Sequence, residues 1–265
     1  SREISHKNLY NYRNKMEFSF YGDDDGIHPA FYARGSHKGK FIVKDSVLAL
    51  PCINNALPIL MQKINEVRDL EARDLKSIII RGNSKGEVIW GIYAKKQFTI
   101  TEDFPNFIRG GAVYYSDPKS PVAKPTEAVQ VIGTIDLEEK ILDKQFTYGL
   151  NSFFQINIPV FEEDLKDIKK AVQKNQLVVD YYSGVGSIGL SLANKANHIV
   201  LVEENKEATE FAQNNTSINE VSQVDIFTDR SERLLSFIDT NRTIIFDPPR
   251  EGLHKNVIKR VLKRQ

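Results

Sequence analysis

The sequence predicts two folded parts: a mostly antiparallel α+β domain over residues 1–150, then a parallel, doubly wound, Rossmann-like α/β sheet over residues 151–265. Three observations predict it. After Asn151, short apolar stretches at 178–180, 198–202, 224–227 and 243–246 alternate with helical ones, and such alternation builds a parallel sheet. The stretch LVVDYYSGVGSIGLSLA at 177–193 reads as buried strand, acidic residue, glycine turn and helix start. Before Asn151, the apolar runs are separated by turn-rich segments, as in hairpins.

In the first part, 16–21 (MEFSFY) alternates as a strand and Asp23-Asp24-Asp25-Gly26 turns the chain. Strands at 31–34 and 41–43 flank a turn at 35–39. Pro51, Asn54 and Asn55 open an amphipathic helix carrying Leu57, Ile59, Leu60, Ile64 and Val67. SIIIR at 77–81, a turn at 83–86 and a strand at 88–93 make a hairpin; 116–125 is a loop and 129–135 a strand. In the second part, 159–172 is a helix with Val160, Phe161, Leu165, Ile168 and Val172 on one face. Further helices are expected at 187–195, 205–216, 230–238 and from Lys255. Four strands make only half of a typical doubly wound sheet, so the chain reads as truncated.

Length and composition narrow the function classes. With 265 residues there is room for two cores, and 41% hydrophobic with 27% charged residues is ordinary globular usage. A formal charge of +1 excludes a global basic field, so any nucleic-acid surface has to be local. No apolar run reaches membrane-span length and the polar N-terminus is not signal-like, so a cytoplasmic protein without a membrane partner is expected, and a monomer. The single cysteine, Cys52, excludes intrachain disulfides and multi-cysteine zinc or iron–sulfur sites in this chain; it reads as a small buried residue. The five histidines are scattered without metal-ligand spacing.

Gly184, Gly186 and Gly189 permit tight turning and close approach of a ligand to a helix N-terminus. The same residues satisfy G-x-G-x-x-G, with Glu203 about 20 residues on, so an NAD-dependent oxidoreductase is an alternative reading. Asp180, ending the first strand, would repel a pyrophosphate but can meet the amino-acid end of S-adenosylmethionine, directly or through water. Asp247-Pro248-Pro249 ends the fourth strand at the same edge, and Glu203 suits a ribose diol in either reading. Together these favour S-adenosylmethionine. Arg250 stands where enzymes that methylate base amines carry a stacking aromatic, which weakens that chemistry here.

The sequence resembles the RNA (uracil-5-)-methyltransferase family. The motifs that carry the resemblance are NSFFQIN at 151–157, DYYSGVG at 180–186, Val202-Glu203, DPPREGL at 247–253 and, at the entry to the first domain, Tyr12-Arg13-Asn14-Lys15. The resemblance implies a class I methyltransferase sheet, S-adenosylmethionine as cofactor, and tRNA or ribosomal RNA as partner. It implies cofactor-binding roles for Gln155, Tyr182, Ser187, Glu203 and Asp247, beside Asp180, Gly184 and Gly186. After the third strand, Arg230 aligns where the family has Asn or Asp, and the adjacent Asp229 is the candidate there. Arg13, Lys15, Gln155 and Arg250 are candidate substrate contacts. The family's cysteine nucleophile and glutamate base are not matched before Gln265, so no catalytic residue is assigned in this chain and an inactive portion of a longer enzyme is expected. A non-catalytic RNA-binding relative is the other alternative. Arg13, Lys15, Arg34, Lys38, Lys40 and Lys44, interleaved with Tyr10, Tyr12 and Tyr21, form either an RNA contact surface or an ordinary solvated face.

Overall fold

The computed structural model describes residues 9–36, 39–120 and 125–263; His6, His37, Lys38, Arg264 and part of the expected 116–125 loop lie outside them. The chain divides into two compact units between Leu137 and Glu138, rather than at 150/151 as expected. The correction has a local cause: the strand that ends at Gly149 is hydrogen-bonded to a helix of the second unit, through Thr147 and Asn215.

The first unit is a seven-stranded sheet of β1 (Lys15–Asp23), β2 (Gly26–Tyr32), β3 (Lys40–Ile42), β4 (Leu75–Gly82), β5 (Val88–Ala94), β6 (Ile108–Tyr115) and β7 (Glu127–Gly133), ordered β3-β2-β1-β4-β5-β6-β7. All neighbours are antiparallel except β5 and β6. Alternation along β1 turns Met16, Phe18 and Phe20 to a core that they share with helix α1 (Pro51–Asn65). Pro51 sits in the first turn of α1, where its missing N–H costs nothing. Leu57, Leu60 and Ile64 are buried as the periodicity predicts; Ile59 is half-buried and Val67 lies past the helix end. β6 has no counterpart among the strands expected from the sequence. At Gly111 a Cβ would run into the Trp90 ring on β5, so the glycine serves close packing rather than a turn.

The boundary between the units falls within β8 (Asp136–Ile141), which pairs with β9 (Lys144–Gly149) in a hairpin that the sequence did not suggest; α2 (Ile158–Ala171) follows. A parallel sheet of β10 (Gln176–Tyr181), β11 (Ala196–Glu203), β12 (Val224–Thr228) and β13 (Arg242–Phe246) follows in the order β12-β11-β10-β13. Between the strands lie α3 (Ser187–Ser191) and α4 (Lys206–Ile218), and α5 (Lys255–Leu262) comes after β13. Asn157 and Asn205 cap α2 and α4, accepting from Val160 N at 3.4 Å and Ala208 N at 3.2 Å. The helix expected at 187–195 is shorter, because beyond Ser191 the chain continues in three-residue turns. The helix expected at 230–238 is instead two 3-10 turns, Ser231–Arg233 and Leu235–Phe237. There the Tyr181 hydroxyl donates to the Leu234 carbonyl at 2.6 Å and draws the segment onto the sheet.

Candidate functional site

Strand order reverses at β10, with β11 on one side and β13 on the other, so a crevice opens at the carboxyl ends of these strands. Tyr182, Gly184 and Gly186 follow β10 with φ of 62°, 55° and 84°. Only glycine accepts such angles freely, so Tyr182 carries backbone strain at the start of the loop. Gly189 fits α3 against β11, since a Cβ there would collide with Leu201.

Asp180 ends up beneath this loop, fully buried, with Oδ2 accepting from Gly189 N at 2.9 Å. Burial pushes its carboxyl up to about 7; the Gly189 amide opposes the shift, and the charges of Asp247 and Glu203 add to it. Its Oδ1 is buried without a hydrogen-bond partner among the described residues. Glu203 holds the loop from the side, accepting from Gly184 N at 3.0 Å and Asn205 N at 2.9 Å. Two lone-pair sites remain on a carboxylate so engaged, enough for a diol.

Two clefts flank the loop. One, of about 430 Å³, is lined by Tyr182, Glu203, Asp229, Arg230, Ser231 and Leu253 among others. Asp229 Oδ1 accepts from Arg230 N at 2.7 Å and Arg233 Nη1 at 3.3 Å, while Arg230 pairs with Glu204 at 3.4 Å. Ser231, which no sequence pattern marked, donates to the Tyr182 hydroxyl at 2.8 Å across 49 positions. The other cleft, of about 460 Å³, lies between α2 and β13 and includes Gln155, Phe161, Ile188 and Asp247. Gln155 Nε2 donates to Asp247 Oδ2 at 3.2 Å, so NSFFQIN and DPPREGL meet across 92 positions. Ser187 is half-buried at the start of α3 and its carbonyl accepts from Ser191 Oγ at 2.7 Å. Arg250 is exposed beyond the two prolines.

Arg13 and Lys15 belong to the first unit. Arg13 Nε is buried without a partner among the described residues. Lys15 stands opposite Arg81 in the β1–β4 register, and its ammonium is held below its usual range, by burial first and then by Arg81. Tyr10, Tyr21 and Tyr32 are exposed, and Lys40 Nζ lies 4.9 Å from the Tyr32 ring centre. Cys52 is a core residue of α1 against Gly82. Among the described residues no group of three or more His, Cys, Asp or Glu is arranged to hold a metal, and no helix is long and apolar enough to cross a membrane.

The sheet order, the glycine loop and the acidic residues at the ends of β10 and β11 define the class: the α/β fold of S-adenosylmethionine-dependent methyltransferases. Within it, the sequence profile of the TRM5/TYW2 methyltransferase domain matches residues 159–254. A tRNA (uracil-54, C5)-methyltransferase from Pyrococcus abyssi, solved with S-adenosyl-L-homocysteine, superposes with a TM-score of 0.78 at 23% identity, over 97% of this chain and 65% of its own. An uncharacterised RNA methyltransferase of Fusobacterium nucleatum is 29% identical over 97% of this chain and 60% of its own length. The tRNA (uracil(54)-C(5))-methyltransferase of Pyrococcus horikoshii is 33% identical over 71% of this chain and 45% of its own. The likeness is thus to RNA methyltransferases, and S-adenosylmethionine is the cofactor of the methyltransferase fold to which it points. The chain spans about 60% of the length of the first curated relatives it matches.

Proposed function

We propose that the chain forms the cofactor-binding part of an S-adenosylmethionine-dependent RNA methyltransferase that acts on carbon 5 of a uridine. The observation that carries this reading is the meeting of Gln155 and Asp247, which joins two distant motifs beside the glycine loop. The residues fit the cofactor: Asp180 keeps an unpartnered buried oxygen, and the space above Gly184 is open, a Cβ there meeting only Phe153 O at 3.9 Å. When bound, S-adenosylmethionine supplies a methyl group on a sulfonium. Glu203 would accept the ribose hydroxyls, Tyr182 and Asp229 would hold the adenosine, and Ser187 would offer its hydroxyl at the helix start. Gln155 and Asp247 would hold the methionine end, where Gln155 would also meet the uracil edge.

Carbon 5 of uracil is a poor nucleophile. A thiolate added at carbon 6 makes carbon 5 an enolate carbon that can take the methyl group; a base then removes the carbon-5 proton, and the carbon 6–sulfur bond breaks to release the thiolate. Cys52 is the only cysteine in the sequence and is buried in the core of the other unit, so the thiolate is assigned to a residue outside these 265. The target nucleotide must leave its stack to reach the site. Exposed Arg34, Tyr21 and Tyr32, with Lys40 beside the Tyr32 ring, are suited to contacts with RNA phosphates and unpaired bases.

Calorimetric titration and a tritium-methyl transfer assay on tRNA and ribosomal RNA test this. The expected outcome is S-adenosylhomocysteine binding without 5-methyluridine formation by the 265-residue chain. Product formation would overturn the placement of the nucleophile; NADH binding in place of S-adenosylhomocysteine would overturn the reading altogether.

A further inference from the structure

Asn215 of α4 is fully buried and uses its whole carboxamide. Its Oδ1 accepts from Thr147 N at 2.7 Å and Thr147 Oγ1 at 2.9 Å. Its Nδ2 donates to Thr147 O and to Val185 O, each at 3.0 Å. A primary amide has two donors and two acceptor sites, and all of them are engaged. One side chain thereby joins α4, β9 and the glycine loop. Val185 sits between the two left-handed glycines, where the backbone has the most freedom to lose. Thr147 lies on the strand that runs into the segment bearing Gln155.

Neighbouring contacts lock the same strand. Asn214 Nδ2 donates to Thr147 Oγ1 at 2.9 Å. Glu207 and Phe211 press on Gly149, where a Cβ would come within 2.6 and 2.8 Å of them. One turn beyond, Asn219 bonds both backbone groups of Gln145, at 2.9 and 2.6 Å. Asn219 therefore holds the hairpin as Asn215 does, but its bonds reach Gln145 and its own helix rather than the loop. An apolar residue at 215 would fill the space while leaving Thr147 N, Thr147 O and Val185 O buried without their partners.

We propose that Asn215 is a positioning residue for the cofactor site, fixing the glycine loop relative to the segment that carries Gln155. The inference rests on the cofactor reading above. Asn215 acts through Val185 and Thr147 rather than by touching the cofactor, so both walls of the site are set before a ligand arrives.

The test is calorimetric titration of the 265-residue protein with S-adenosylhomocysteine, alongside thermal melts, for wild type, Asn215→Asp and Asn219→Ala. Asn215→Asp keeps the volume and the acceptor toward Thr147 N but replaces the donor facing Thr147 O and Val185 O with an oxygen. Affinity is expected to fall about tenfold in Asn215→Asp, the equivalent of one or two buried hydrogen bonds. In Asn219→Ala the Tm falls while affinity stays within about twofold of wild type. Asn215→Ser, small enough to admit a water, gives the same comparison should the aspartate variant not fold. Unchanged affinity in the Asn215 variants, or an equal loss in Asn219→Ala, would overturn the proposal. A wild-type protein that fails to bind S-adenosylhomocysteine overturns the cofactor reading, and this inference with it, before any variant is compared.

Discussion

β5 is buried at all seven of its positions, from Val88 to Ala94, whereas all five residues of β13 are only half-buried. β5 has a strand on either side and shares its core with α1. β13 has one strand neighbour, β10, among the described residues, and its carboxyl end carries Asp247 into the candidate site. The difference separates scaffold from site. β5 is covered on both faces, while the residues of β13 keep part of their surface accessible beside Asp247.

Substitutions on each side of that divide should differ in cost. Ile92→Ala, at a fully buried position of β5, is expected to destabilise by about 2–5 kcal/mol. Ile244→Ala, on β13, should cost less than about half of that, because the half-buried side chain has less to lose. Urea titrations read both, with the single tryptophan, Trp90, reporting the first unit by fluorescence and circular dichroism reporting the second. Equal losses would break the comparison.

Asp180, in the second unit, is a charge-bearing group buried as deeply as any core residue. Its folded-state pKa of about 7 lies above the ordinary value of 3.8. The native state therefore holds a proton that the unfolded chain releases. The stability from Asp180 is fully present below about pH 4 and is lost as pH rises through about 7, a loss on the order of 4 kcal/mol. Asp180→Asn keeps an acceptor for Gly189 N without a charge. It should be more stable than wild type at pH 8 and indistinguishable at pH 4, as paired thermal melts would reveal.

Glu203→Gln should have a smaller effect, seen in binding more than in folding. The amide keeps one acceptor for the loop but loses charge toward a diol, so affinity for S-adenosylhomocysteine should drop about tenfold, or about 1.4 kcal/mol. A change in Tm without a change in affinity would assign Glu203 to the loop alone. Smallest of all, Lys166→Ala removes an exposed pair with Glu163 on α2 and should leave the Tm unchanged within error.

Much of the second unit was legible from its residues. The four apolar stretches became the four parallel strands, and Gln155 and Asp247 were both singled out before any contact between them was visible. Less was legible where a residue's ordinary preference was overridden. Gly110-Gly111 lies in a strand, where a Cβ at 110 would meet the backbone of Ile132 and Thr134 and one at 111 would meet Trp90, and residues 230–238 form 3-10 turns under Tyr181. Asn215 escaped notice because an asparagine inside a helix reads as a weak helix former, and its partners lie 68 and 30 positions away.

The sequence by itself determined the periodicities, the glycine loop and the acidic residues that end β10 and β11. Those features are local: side-chain alternation and backbone freedom act within a few residues. Only the tertiary structure decided that Asp180 lies beneath the loop, that Glu203 holds its flank, and that α4 ties it to β9. Burial and hydrogen-bond partnership depend on groups brought together from distant positions, and no local pattern encodes which of them meet.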